Sequence, residues 1–243
     1  MSDPLHIGIL AHSAEGATLS YRTVWHEGVR KMGAHDHPRI TMSGGAMAPT
    51  LELWERDDLA ALRQIFREDA ERLAAAGADF FILPDNTAHI ALEQPGPDFP
   101  IPCLHIAEVV AAQAEADGRR HIAVLGTNWT MEGPVYKDAL ARRSLERSIP
   151  AADDREIIHT AIFDELCLGD FRDETRAEFI RIIGNLQSKG CDAVALVCTE
   201  IPLLITDETS PLPILDSTRL QAKAAVAVAL GERVMPIWSG GVV

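Results

Sequence analysis

One stretch of this chain occurs twice, and that repetition limits the possible folds more than any single motif does. Residues 77–89 read G-A-D-F-F-I-L-P-D-N-T-A-H: a glycine, an aspartate, four apolar residues, then the polar Asp85, Asn86 and Thr87. The same order returns as Gly190-x-Asp192, A-V-A-L-V and Cys198-Thr199-Glu200. The offset is 113 for Gly77/Gly190 and for Asp85/Cys198, and it still holds at Pro100-Ile101 and Pro213-Ile214. An earlier pair, H-I-G-I-L at 6–10 and H-I-A-V-L at 121–125, is offset by 115, as are Tyr21 and Tyr136. A duplication with one short deletion explains both offsets. Asp85 and Cys198 then hold equivalent places, and a duplicated fold is expected to set them facing each other.

The apolar runs are short and free of charge, as buried parallel strands are. Strands are expected at 6–10, 39–43, 80–83, 101–106, 121–125, 193–197 and 214–215. Helical patterns separate them, at 19–32, 57–76, 107–116, 131–144, 155–167, 173–189 and 218–230. Gly44-Gly45 and Pro49 mark one loop, and four prolines mark another at 94–102. Residues 149–154 read as a polar link, and the tail from Trp238 as poorly anchored. Strands alternating with helices of ten or more residues specify α/β architecture. The expectation is two pseudo-symmetric lobes, each a parallel sheet flanked by helices. The first takes residues 1–107 with 216–243 and the second 108–215, with the site in the cleft between them. Ligands in such sheets bind beyond the strands' carboxyl ends. Four of those ends are polar: His12-Ser13, Asp85-Asn86-Thr87, Thr127-Asn128 and Cys198-Thr199-Glu200.

A formal charge of −14 argues against nucleic acid, whose phosphates require clustered Lys and Arg, and against an anionic membrane surface. The start, M-S-D-P-L-H, has no basic segment followed by a long apolar run, so no signal peptide and a cytoplasmic location are expected. The four cysteines lack zinc-ligand spacing and are read as reduced thiols. His35-Asp36-His37 is read as a polar loop, and no metal is expected. His89, His105 and His159 are read as hydrogen-bonded structural histidines.

Leu125-Gly126-Thr127, the run I-F-D-E-L-C-L-G at 162–169 and above all C-T-E-I-P-L-L-I at 198–205 resemble the aspartate/glutamate racemase superfamily, its aspartate racemase branch in particular. The resemblance spans nearly the whole chain. It implies catalysis without pyridoxal phosphate or any other cofactor, by two opposed acid/base residues that carry over to Asp85 and Cys198. It also implies a small-molecule carboxylate substrate gripped by Asn86, Thr87, Thr127 and Thr199. His12, Ser13 and Glu200, at the same strand ends, are read as lining the site. A homodimer or higher homo-oligomer is expected.

The chain departs from that pattern in three places. Asp85 stands where the superfamily usually has Cys. Leu10-Ala11-His12-Ser13 replaces a G-G-M-S-type loop. Asp170 follows Leu168-Gly169 where relatives often offer Lys to a distal carboxylate, and 44–49 holds no basic residue. A substrate without a distal carboxylate is therefore expected. An ordinary carboxyl, with a pKa of about 3.9, is a weaker base than a thiolate of about 8.5, so burial is expected to raise the pKa of Asp85. The expected activity is racemisation or epimerisation of an amino acid or related acid. The alternatives are a one-cysteine lyase or isomerase of the same superfamily, similar to malonate decarboxylases, and a silent small-acid binder. Locally, Pro84-Asp85-Asn86 is also an ordinary turn with Asp85 as a helix cap, and a lone buried cysteine is commonly structural.

Overall fold

The computed structural model describes residues 3–243; the first two residues of the stretch read for a signal peptide lie outside it. The described residues form two compact units: the chain up to Ile106 with Gln221–Val243, and Ala107–Leu220. The first holds β1 (Ile7–Leu10), α1 (Ala14–Met32), β2 (Ile40–Ser43), α2 (Ala48–Glu55), α3 (Leu59–Ala75), β3 (Phe80–Ile82) and the single-turn α4 (His89–Leu92). The chain divides at the start of α5 (Ile106–Ala116). The second unit continues with β4 (His121–Leu125), α6 (Asn128–Glu132), α7 (Pro134–Ala141), β5 (Glu146–Ser148), α8 (Ala152–Asp164), α9 (Asp173–Ser188), β6 (Ala193–Leu196), α10 (Ile201–Leu204) and β7 (Ile214–Asp216). The chain passes back to the first unit within α11 (Ser217–Ala229).

The duplication is visible in the sheets. All strands are parallel, in the order β2-β1-β3 in one unit and β5-β4-β6-β7 in the other. Its hydrogen bonds repeat as well. Asp79 accepts from the His6 N–H at 2.7 Å, and its own N–H returns to the His6 carbonyl at 2.9 Å. In the second unit Asp192 accepts from the Arg120 and His121 N–H groups at 2.9 and 3.2 Å, and donates to the His121 carbonyl at 2.9 Å. The preceding Gly77 and Gly190 have φ of +86° and +96°, a left-handed turn that ends the helix and that other residues enter only at a cost. Each Gly-x-Asp thus stops a helix and latches two strand starts. His6 and His121 complete the match, reaching Thr41 and Ser148 hydroxyls at 2.8 Å each.

Packing follows from the helix period. α3 buries Leu62, Phe66, Ala70 and Leu73, and α9 buries Phe179, Ile182, Ile183 and Leu186. These recur every three or four residues, one stripe per helix. The α9 stripe shares a core with Leu125, Leu196 and Cys198, so the end of β6 is held from beneath. Truncating one such side chain to Ala costs about 2–5 kcal/mol.

Several boundaries differ from the sequence reading. α1 begins at Ala14, because the Ser13 side chain caps it by accepting from the Gly16 N–H at 3.1 Å. Residues 44–49 are not all loop: Pro49 lies in the first turn of α2, where its missing N–H costs nothing. The helix expected at 131–144 is two, parted at Gly133-Pro134. The strand expected at 101–106 is a single bridge, Phe81 to Cys103. The tail is anchored in the first unit. Trp238 O accepts from the Cys103 N–H at 2.8 Å, Ser239 O from the Phe99 N–H at 2.8 Å, and Gly241 donates to Leu92 O at 3.0 Å. The Trp238 ring lies parallel to His89 and edge-on to His105.

Candidate active site

In the first unit, adjacent strands β1 and β3 bring His12 and Asp85 together across 73 residues of sequence. His12 Nδ1 hydrogen-bonds Asp85 Oδ2, and the other carboxylate oxygen accepts from the Ala88 N–H at 3.0 Å. His12 Nε2 meets Thr50 Oγ1 at 2.7 Å, and the Thr50 hydroxyl donates to Met47 O at 2.6 Å. Phe66 of α3 presents an edge to the imidazole, 5.3 Å between centroids. Gly44 makes room for this arrangement. A Cβ there would stand 2.0 Å from Ala11 O, so only glycine lets the loop from β2 pass the end of β1 and carry α2 to His12.

Asp85 is held from behind by His89, which donates Nδ1–H to the Asp85 carbonyl at 2.8 Å; its Nε2 accepts from the Ile106 N–H at 3.3 Å. That pattern belongs to a neutral ring. Burial, and then the neighbouring His105, push its pKa down to about 3. For Asp85 itself, burial is the largest influence and acts upward. The His12 ring, the Ala88 N–H and His89 together outweigh it and hold the carboxyl below its ordinary value. The expected upward shift is therefore corrected: no sequence-local feature reveals that an imidazole meets this carboxylate.

In the second unit the thiol of Cys198, 8% exposed, donates to Glu200 Oε2 at 3.0 Å, and the Thr199 hydroxyl donates to the same oxygen at 2.9 Å. Burial, then the Glu200 carboxylate and Cys167, push the Cys198 thiol well above its usual range. Cys198 is a buried thiol hydrogen-bonded to a carboxylate. A Cβ on Gly126 would stand 2.8 Å from Val197 O, so that glycine lets the turn after β4 lie against the residue before Cys198.

The other sequence-predicted residues fall at the same strand ends. Asn86 and Thr87 follow Asp85 in the turn, Asn86 fully buried. The Ser13 and Thr127 oxygens cap α1 and α6, Thr127 accepting from the Thr130 N–H at 3.2 Å. Thr50 was missed by sequence reasoning. The signal for it was Ala48-Pro49-Thr50, a helix start. Asp170 does not stand alone, because Arg172 pairs with it and with Glu165. Among the described residues no group of three or more His, Cys, Asp or Glu side chains is arranged to hold a metal ion, and no helix is long and apolar enough to cross a membrane.

Comparison with known proteins follows the same lines. The family described as Asp/Glu/Hydantoin racemase matches residues 7–225. The broad specificity amino-acid racemase RacX of Bacillus subtilis (strain 168) is 24% identical over 169 residues, covering 70% of this chain and 73% of RacX. The crystal structure of a Yersinia pestis protein assigned to the Asp/Glu racemases superposes with a TM-score of 0.82 at 28% identity, covering 93% of this chain and 99% of that one. An aspartate racemase homologue from Pyrococcus horikoshii OT3 gives 0.75 at 24% identity, with the same coverage, and supports the fold alone.

Proposed function

The chain belongs to the Asp/Glu/Hydantoin racemase family, and we propose that it racemises or epimerises an amino acid or related small carboxylic acid without a cofactor. Asp85 and Cys198 are the two acid/base groups in this reading. The observation that carries it is their equivalence. They follow β3 and β6, 113 residues apart, and each side chain is bonded to a titratable partner, His12 or Glu200.

Inverting a carbon next to a carboxylate needs one group to remove its proton and another to return it on the opposite face, each within about 3 Å in the bound state. Cys198 keeps its proton in the free enzyme and starts as the donor; the Asp85 side starts as the acceptor. When Cys198 accepts instead, Glu200 is placed to receive the thiol proton beforehand. The developing carbanion needs aimed donors on its carboxylate oxygens, a role for Asn86, Thr87 and backbone N–H groups. Thr199 spends its hydroxyl proton on Glu200, so it offers a substrate ammonium group a lone pair. The broad specificity of RacX makes a panel of amino acids the right starting set. In D2O, single enantiomers that are substrates must exchange the α-proton for deuterium and yield the other enantiomer, read by proton NMR and chiral chromatography.

One observation favours a second reading, the one-cysteine lyase or isomerase: Asp85 caps the Ala88 N–H and its carboxyl is held low, as in a plain turn. Such an enzyme consumes substrate without regenerating an enantiomer, and a silent binder gives neither result. The same experiment separates all three.

A further inference from the structure

We propose that the proton acceptor of the first unit is the His12–Asp85 pair rather than Asp85 alone, with Thr50 locking the His12 tautomer that makes the pair a stronger base. This rests on the racemase reading only in supposing that Asp85 faces a substrate.

The argument is a count of protons along one chain of hydrogen bonds. Thr50 has a single hydroxyl proton, and it points to Met47 O at 2.6 Å, back into the first turn of α2. Thr50 Oγ1 therefore meets His12 Nε2 as an acceptor, and Nε2 must carry a hydrogen. A neutral ring protonated at Nε2 has only a lone pair at Nδ1, and an ionised carboxylate is acceptor-only. Nδ1 and Asp85 Oδ2 are nevertheless bonded, so one further proton lies between them. This arrangement is the acid form of the pair, imidazolium beside carboxylate.

As an acid, the pair passes that shared proton to the substrate carbanion, whose electron pair forms the new C–H bond. A neutral ring and an ionised Asp85 remain. As a base, it takes the α-proton into the same position while the C–H electrons stay on the substrate carbon. In the proton-poor form a nitrogen lone pair faces a carboxylate oxygen with nothing between them. That repulsion gives the pair a higher proton affinity than a lone carboxylate has. Without the Thr50 lock, the ring is free to carry its one proton on Nδ1 and satisfy Asp85, which leaves an ordinary weak carboxylate. The pair thus answers the weakness of Asp as a base at a position where relatives use Cys.

Other groups near the pair come from the turn before α4, from α3 and from α2. His89, from the turn before α4, bonds the Asp85 carbonyl and stays neutral. α3 offers the Phe66 edge, and its buried Asp69 is taken by Ser43 Oγ at 3.0 Å and Arg72 at 2.7 Å. α2 offers Thr50.

The first test needs no substrate, so it stands or falls apart from the racemase reading. In the 15N-labelled free enzyme titrated with pH, both His12 nitrogens are expected to carry a proton in the acid form and Nε2 alone in the form that accepts a proton, and Thr50→Val is expected to leave Nε2 bare in that second form. A second test uses any substrate found. Thr50→Val should move the acidic limb of kcat/KM down by about one pH unit, a tenfold change in proton affinity; Thr50→Ser should bring it back, and His12→Asn should lower it as Thr50→Val does. A wild-type His12 with Nε2 unprotonated overturns the proposal, as does a limb that Thr50→Val leaves in place in a variant whose spectrum is folded.

Discussion

The ends of β3 and β6 descend from one repeated pattern, share the strand latch beneath them, and treat charge in opposite ways. At Asp85 an imidazole stabilises the anion and holds the carboxyl low. At Cys198 a carboxylate opposes the anion and holds the thiol high. The lesson is that the scaffold and the chemistry are set by different residues. Gly77, Asp79, Gly190 and Asp192 fix where each strand end lies. In the proposed mechanism their neighbours His12 and Glu200 decide which end starts as base and which as acid. Groups whose environments drive their proton affinities apart are what two-sided proton transfer requires.

The largest effects should come from removing either end. Cys198→Ala is expected to lower kcat by about a thousandfold, within the range that a positioned acid or base supplies. Asp85→Asn keeps the shape but cannot carry the proton, and should cost about a hundredfold or more. The two variants should also differ in kind. A one-sided enzyme still washes deuterium into one enantiomer without inverting it, so each variant should retain slow exchange on opposite enantiomers. Near-normal turnover in either variant removes that residue from the mechanism. Loss of exchange from the same enantiomer in both would mean that the two do not work as a pair.

Glu200 is the sharper probe of the difference between the ends. Its charge is second only to burial among the causes that keep Cys198 protonated. Glu200→Gln removes that charge while keeping an acceptor for the thiol, so the thiolate should form at lower pH. Alkylation of Cys198, followed against pH, should then accelerate near pH 8 by about tenfold over the wild type. An unchanged alkylation profile would show that burial alone sets the thiol.

The two ends also rest on different foundations, which predicts where acid damages the protein. The residue under Asp85 is the buried, neutral His89, whereas the place 113 residues later is Pro202. His89 has its folded pKa pushed down to about 3. The unfolded chain therefore takes up this proton first, from about pH 6.5 downward, and stability falls with pH across that window. The loss is on the order of 4 kcal/mol by about pH 3. Melting temperatures measured between about pH 7 and 4 should show a flatter dependence in His89→Gln than in the wild type, whatever the variant's starting stability. Equal slopes would locate the acid sensitivity elsewhere.

Much of the scaffold was legible because it is local. Each Gly-x-Asp and the apolar run after it sit within a few residues of one another, and repetition doubled the signal. The strand ends, and so the residues placed on them, followed directly. What stayed hidden depends on distance. His12 reaches Asp85 from 73 residues away, and no pattern around Asp85 announces it, so the direction of its shift was misread. The tail looked loose because Gly240, Gly241 and two valines have no amphipathic period, yet its Trp238 and Ser239 carbonyls accept from Cys103 and Phe99, and its Gly241 N–H donates to Leu92 O. Thr50 was lost for a smaller reason: two glycines and a proline suggested a loop where the proline opens a helix.

The smallest effect concerns the far end of the substrate. Residues 44–49 of the first unit hold no basic side chain, and in the second unit Asp170 is followed closely by Arg172. That arginine is about half exposed and already pairs with Asp170 and Glu165. A surface pair of this kind is worth at most about 1 kcal/mol, and taking the guanidinium from two carboxylates to serve a third gains little. Substrates with a distal carboxylate should therefore hold no advantage over neutral ones of similar size. Arg172→Ala should change kcat/KM for either class by less than about fivefold. Asp170→Lys reverses the charge where relatives often carry a lysine, and should favour aspartate over alanine by a similar small factor. Wild-type enzyme that prefers aspartate above all others, and loses that preference in Arg172→Ala, would show that the arginine leaves its partners for substrate.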